Sequence, residues 1–215
     1  MEIKNTAGDV IWQVDGETLE NAQLAGLSVL AADFHDLSMR AANLERAFLR
    51  NARFESSDLE EANFRLACLD HANFDSARLI KARFDSASME FAHLDDVNLS
   101  DGSLFRADLY SCGLFRANLR GCNLEGADLA GGDLKRAILR DANLRLANFG
   151  RNNLRGNIQL EDADLTGAQV EGVRFDGAIY NAGTKFPSGF DPKVHGMVFR
   201  EVGNDDPSNW PLSNK

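Results

Sequence analysis

The amino-acid sequence predicts a repeat architecture, a solenoid of short stacked coils, and three observations carry that reading. From Leu19 to Leu154 every fifth residue is apolar, with no slip of phase. Two places before each of these centres stands a residue that is usually small, most often Ala. The period matches neither the 3.6 residues of a helix turn nor the 2.0 of a strand. A strict fixed period marks units that bury their apolar face only by stacking on their neighbours.

The pattern is purest between Ala107 and Leu144. Its centres are Leu109, Leu114, Leu119, Leu124, Leu129, Leu134, Leu139 and Leu144. The small residues before them are Ala107, Cys112, Ala117, Cys122, Ala127, Gly132, Ala137 and Ala142. Over the whole run the 28 centres are 19 Leu, 6 Phe, 2 Met and Val29, and 18 of the 28 residues two places earlier are Ala. Asn or Asp often stands between the two, as at Asn43, Asp58, Asn73, Asp108, Asp128 and Asn143. The remaining two positions are mostly charged or small.

This pattern, A-(D/N)-L-x-x, resembles the pentapeptide repeat family over nearly the whole chain. The resemblance implies an all-β fold, a right-handed quadrilateral β-helix in which four pentapeptides make one coil. It also implies that the centre and the small residue point inward and the other three outward. Stacked coils then pair their backbones at a strand spacing of about 4.8 Å. A second large residue on each face would overfill the interior, so Ala117→Leu is expected to cost about 1–3 kcal/mol.

In chain order, residues 1–18 lie outside the repeat. Val10-Ile11-Trp12-Gln13-Val14 is β-prone and follows a turn-prone Thr6-Ala7-Gly8-Asp9. A hairpin pairing residues near Ile3 with residues near Val14 is expected to form an N-terminal β cap, with Trp12 packed over the first coil. The β-helix then occupies residues 19–182. After Leu154 the next centres are Leu160, Leu165, Val170, Phe175 and Tyr180, which places a one-residue phase break near 155–159 and a bulge there. The whole gives roughly 8 coils and a rod on the order of 40 Å. Residues 183–215 form a C-terminal cap and loose tail. Asp191-Pro192 is an N-cap followed by a first-turn Pro, which predicts a short helix to about Val202 lying over the last coil. Trp210 is expected to dock on the rod or on a partner.

The chain has 215 residues and a formal charge of −10, which argues against nucleic acid as a direct ligand. Residues 1–101 hold 19 acids and 9 bases, residues 102–156 hold 5 and 9, and residues 157–215 hold 9 and 5. No window approaches 18 consecutive apolar residues, so no membrane span is expected. The N-terminus lacks a basic stretch followed by an apolar run, and the expected location is cytoplasmic. Of three cysteines, Cys112 and Cys122 fill the small slot as buried hydrophobes, and Cys68 falls on an outward slot as a free thiol.

No catalytic or cofactor-binding motif is present, and no metal site is predicted. His71 and His93 lie near Asp70 and Asp95, most simply as a solvated polar face. Two surface features remain. Asp33, Asp36, Glu55, Asp75, Asp95 and Asp96 fall on one face in successive coils, and the same face turns basic at Lys135, Arg136 and Arg155. This acidic face either keeps the rod soluble or imitates duplex phosphates. The resemblance supplies the second sense, since some family members are DNA mimics that bind type II topoisomerases and confer quinolone resistance. This chain departs from that group in its positive upper half and in having no loop of several residues. The second feature is aromatic. Phe105, Tyr110 and Phe115 each follow a centre, and Phe91 lies one coil below Tyr110. Exposed rings clustered in this way mark an interface, unless the stems of Arg106 and Arg116 cover them. The sequence therefore points to a non-enzymatic, rod-shaped interaction or scaffold protein with a protein partner or a second copy of itself. The alternative is a DNA mimic that binds DNA gyrase.

Overall fold

The structure is a computed structural model and describes residues 1–14, 16, 18–154 and 156–201. Each pentapeptide is one tight turn. The small residue's N–H donates to the C=O of the centre three places earlier, as Ala47 does to Leu44 (3.1 Å). The residue just before the small one takes a left-handed conformation, φ 58° at Arg46. A positive φ at only the third of four residues is the pattern of a type II turn.

Four turns close a coil of 20 residues. Gln23 bridges Asn43, Asn43 bridges Asn63 and Asn63 bridges Arg83, all in parallel. Leu44 N–H donates to Asn63 C=O (2.7 Å), and Asn63 N–H donates to Ala42 C=O (2.9 Å). Each coil thus satisfies the backbone of its neighbours, which an interior filled with hydrocarbon requires. From Phe34 to Phe149 every centre is buried, and from Ala42 to Ala147 so is the residue two places before it, whereas Leu37, just before that run, is partly exposed. The Phe centres stack in columns. Phe54 lies 5.1 Å from Phe34 and 4.7 Å from Phe74, nearly parallel to both, and Phe64 stacks on Phe84 at 4.8 Å. Neighbouring columns meet edge to face, as Phe54 and Phe64 do at 84°.

The N-terminal hairpin forms. Strand β1 (Glu2–Asn5) pairs antiparallel with β2 (Val10–Gln13), with Ile3 opposite Trp12. Strand β1 also pairs with β3 (Ala32–Asp33), and so takes up the edge of the first coil there. Trp12 packs, partly buried, against the core.

Two expectations fail. The first concerns Leu154, which is not a centre: it is 77% exposed. Asp128 bridges Asn148 at the regular spacing of 20, but Asp133 bridges Gln159, 26 residues on. The insertion is therefore six residues, carried within a loop at 150–156 of which Arg155 lies outside the described residues, and the next centre after Phe149 is Leu160. The run is interrupted by a loop of several residues after all. The second concerns the C-terminus. No helix occurs among the described residues, and Pro192 to Gly196 is a turn. Asp191 does accept the N–H of Lys193 (2.9 Å), but Gly196 at φ 69° ends the turn. Strand β5 (Val198–Phe199) then pairs in parallel with β4 (Ile179–Tyr180). The free edge of the last coil selects pairing over a helical turn too short to nucleate. Trp210 and Val202 lie outside the described residues.

Candidate functional site

The loop 150–156 folds over the outward face that carries Tyr110. The Tyr110 hydroxyl accepts the N–H of Asn153 (2.9 Å), and the Asn152 amide donates to the Ser111 hydroxyl (3.0 Å). Asn152 Oδ1 accepts the N–H groups of Leu154 (3.0 Å) and Gly156 (2.6 Å), so the loop is closed on itself and pinned to the coil. Between loop and coil lies an open cavity of about 340 Å³ lined by Glu90, Phe91, Asp108, Tyr110, Asp128, Asn153 and Leu154. Phe91 meets Tyr110 edge to face, with centroids 5.8 Å apart and planes at 81°. Phe91 also stacks on His71 at 5.2 Å.

The structure thus divides the four aromatic candidates. Phe91 and Tyr110 share this cavity. Phe105 and Phe115 lie on other faces, each half-buried under its own arginine. The guanidinium of Arg106 sits 5.0 Å from the Phe105 ring centre, and that of Arg116 4.9 Å from Phe115. These rings are covered by neighbouring cations rather than left open.

The carboxylates of the acidic face are largely engaged. Arg53 holds Asp33 and Glu55, each at 3.1 Å, and Arg116 holds Asp96 (2.6 Å), whose carboxyl that bond keeps below the usual range. Asp75 accepts the N–H of Asp95, and Asp95 that of Phe115, both at 2.9 Å. These two bonds have a local cause. Where Asn or Asp precedes a centre it accepts the following N–H, as Asn73 does from Asp75, but His93 and Gly113 stand in that slot here. Burial, with Asp75 and Asp133 nearby, holds the Asp95 carboxyl above the usual range against the Phe115 N–H. Asp36 stays exposed. Arg155 lies outside the described residues.

Cys112 and Cys122 are buried, and their thiols donate to Met89 C=O (2.9 Å) and Leu99 C=O (2.7 Å). Burial pushes the Cys122 thiol up to about 12 and raises Cys112 further. Cys68 is partly exposed and its thiol is also raised by burial. Among the described residues, no group of three His, Cys, Asp or Glu is placed to hold a metal.

Sequence reasoning missed the residues of the loop, Asn152 and Asn153, because the regular phase absorbed them into the repeat. It also missed Phe48, 60% exposed, where a ring replaces the Asn or Asp that usually precedes a centre.

A family model described as Pentapeptide repeats matches residues 38–75, 72–109 and 117–156, in 8 copies. No curated protein matches the chain. Among solved structures, the chain is similar to HetL, a pentapeptide repeat protein involved in heterocyst differentiation regulation from the cyanobacterium Nostoc sp. strain PCC 7120. The identity is 28%, over 83% of this chain and 81% of that one, with a TM-score of 0.38. It is also similar to QnrB1, a plasmid-mediated fluoroquinolone resistance protein, at 22% identity over 85% of this chain and 77% of that one, with a TM-score of 0.48.

Proposed function

Because the chain belongs to the pentapeptide repeat family, we propose that it is a non-enzymatic rod whose work is to hold another protein. The contact is made through the face that carries Phe91, Tyr110 and the 150–156 loop. One observation carries this reading. The ladder is regular from Gln23 to Asn148, and its interruption is spent on a loop pinned over an aromatic pair with a cavity between them. The outward positions of a repeat rod are free of core duties, so a loop and two rings placed there are available for recognition. The apolar interior is filled, and the three unpaired thiols agree with a cytoplasmic setting.

The test is capture of partners by the full chain, compared with Phe91→Ser/Tyr110→Ser. Loss of a partner, with an unchanged melting transition, supports the reading. Equal capture by both chains overturns it. The alternative, a mimic of duplex phosphate that binds gyrase, rests on the acidic face, where five of six carboxylates already serve arginines or backbone N–H groups. A gyrase supercoiling assay with purified protein decides it: no inhibition at high concentration removes that alternative.

A further inference from the structure

We propose that the cavity under the 150–156 loop binds an organic cation, the side chain of a lysine or arginine offered by the protein partner. This deepens the interaction reading and rests on it for its biological sense. The lining is specific in chemistry. Phe91 and Tyr110 stand at 81° and form a corner of two rings, and three carboxylates, Glu90, Asp108 and Asp128, surround it. Aromatic faces attract cations through their quadrupole, and do so more strongly where water is partly excluded. Carboxylates beside them exclude anions and give neutral groups no advantage.

Several carboxylates of the rod are already matched by a neighbouring cation. Asp33, Asp58, Glu60, Asp70, Asp85 and Asp96 each face an arginine on their own surface. Among the described residues, Glu90, Asp108 and Asp128 have no such partner. Asp108 and Asp128 are nonetheless fixed in place. One oxygen of Asp108 accepts the Tyr110 N–H (3.1 Å), and one of Asp128 accepts the Ala130 N–H (3.0 Å) and the Asn148 amide (2.9 Å). The second oxygen of each is left over, on a side chain whose ordering is already complete, which lowers the cost of binding. Asp108 and Asp128 also fall in the stretch 102–156, where bases outnumber acids 9 to 5. They are therefore not part of the general acidity of the lower rod.

The probes are capped arginine methylamide and capped trimethyllysine methylamide, titrated into the isotope-labelled full chain at low salt, with capped norleucine methylamide as the neutral control. Saturable shifts of Phe91, Tyr110 and Leu154 are expected with both cations, and binding about tenfold weaker with norleucine. Glu90→Gln/Asp108→Asn, in which the introduced amide oxygen still accepts the Tyr110 N–H, should weaken cation binding about tenfold, as should molar salt. Equal binding of norleucine, no saturable shift with either cation, or unchanged affinity in the double variant would each overturn the proposal. If cation binding fails while partner capture still depends on Phe91 and Tyr110, the cation inference alone falls. If cations bind but Phe91→Ser/Tyr110→Ser captures partners as the native chain does, the interaction reading falls instead.

Discussion

The coils below about residue 100 and those above it share one backbone and differ in almost everything attached to it. The lower coils stack Phe on Phe in their centre columns, and the upper ones are almost uniformly Leu up to Phe149. The lower surface is tied by close ion pairs between coils, such as Arg50–Asp70 at 2.7 Å and Arg78–Asp58 at 3.0 Å. Above, Arg120–Asp141 and Arg136–Asp162 are looser, both at 3.7 Å. The left-handed corner is taken below by residues as unsuited as Leu66, Lys81 and Phe91, and above often by Gly121, Gly126, Gly131, Gly167, Gly172 and Gly177. The comparison teaches that two inward slots and the hydrogen-bond ladder determine the fold. The ladder over-determines the corner conformation, so the chain tolerates strain there repeatedly. The three outward slots are released for surface chemistry.

The largest effect should come from breaking the lower core. Phe54 is fully buried between Phe34 and Phe74 and edge-on to Phe64. Phe54→Ala is expected to cost about 3–5 kcal/mol, and Leu119→Ala in the upper core about 2–5 kcal/mol. Urea denaturation of the two variants measures the difference. A smaller loss for Phe54→Ala than for Leu119→Ala would show that the Phe columns add no stability of their own.

The inward half of this design was legible in the sequence, because burial at two fixed places in five leaves a period that composition cannot hide. Leu44, Ala47, Leu119 and Ala127 sit where the pattern puts them. The loop was not legible, for an arithmetic reason. An insertion of one residue and an insertion of six leave the same phase modulo five, and Leu154 by chance keeps the period. Its anchor was hidden too, since Tyr110 and Asn153 are 43 residues apart and meet only through the stack. The left-handed corners escaped because Arg46, Leu66 and Phe91 carry no glycine signal. At the C-terminus the helix-start signal of Asp191-Pro192 was real, yet edge pairing by Val198 outweighed it.

The corner contrast can be sharpened by exchanging residues in one column. Gly126 and Ser86 occupy the same slot two coils apart, with φ 69° and 56°. A Cβ at Gly126 would approach Arg106 Cγ to 3.3 Å, a contact a flexible stem can relieve. Gly126→Ser should therefore cost about 1–2 kcal/mol for the left-handed corner. Ser86→Gly should gain up to about 1 kcal/mol, reduced by the freedom glycine adds to the unfolded chain. Gly121→Ala should cost about as much as Gly126→Ser, because the atom its Cβ would meet at 2.5 Å, Asp101 Oδ1, is the tip of an exposed side chain that can rotate away. Melting temperatures of the three variants would check the order. Equal values for all three would mean that the coils shift freely at their corners.

The smallest effect concerns two carboxylates whose shifts have opposite signs. Glu60 accepts hydrogen bonds from Arg78 and Arg40, and these hold its carboxyl below the usual range. A depressed carboxyl contributes stability above its unfolded pKa and loses it as pH falls through the folded value. Asp95 is the reverse. Burial raises its carboxyl, as do Asp75 and Asp133, against the pull of the Phe115 N–H. Its ionised form is therefore disfavoured in the folded chain, a cost present at neutral pH that disappears once the pH is below the unfolded carboxyl range, about 3.9. Asp95→Asn keeps an oxygen for the Phe115 N–H and removes the charge. It should melt slightly higher than the native chain at pH 7 and match it at pH 3. Glu60→Gln should melt lower at pH 7 and converge with the native chain in acid, with the opposite sign. Thermal melts of both variants at the two pH values separate the cases. If Asp95→Asn melted lower at pH 7, the Asp95 charge would itself be holding the Phe115 backbone, and the carboxylates of this face would be structural parts of the ladder.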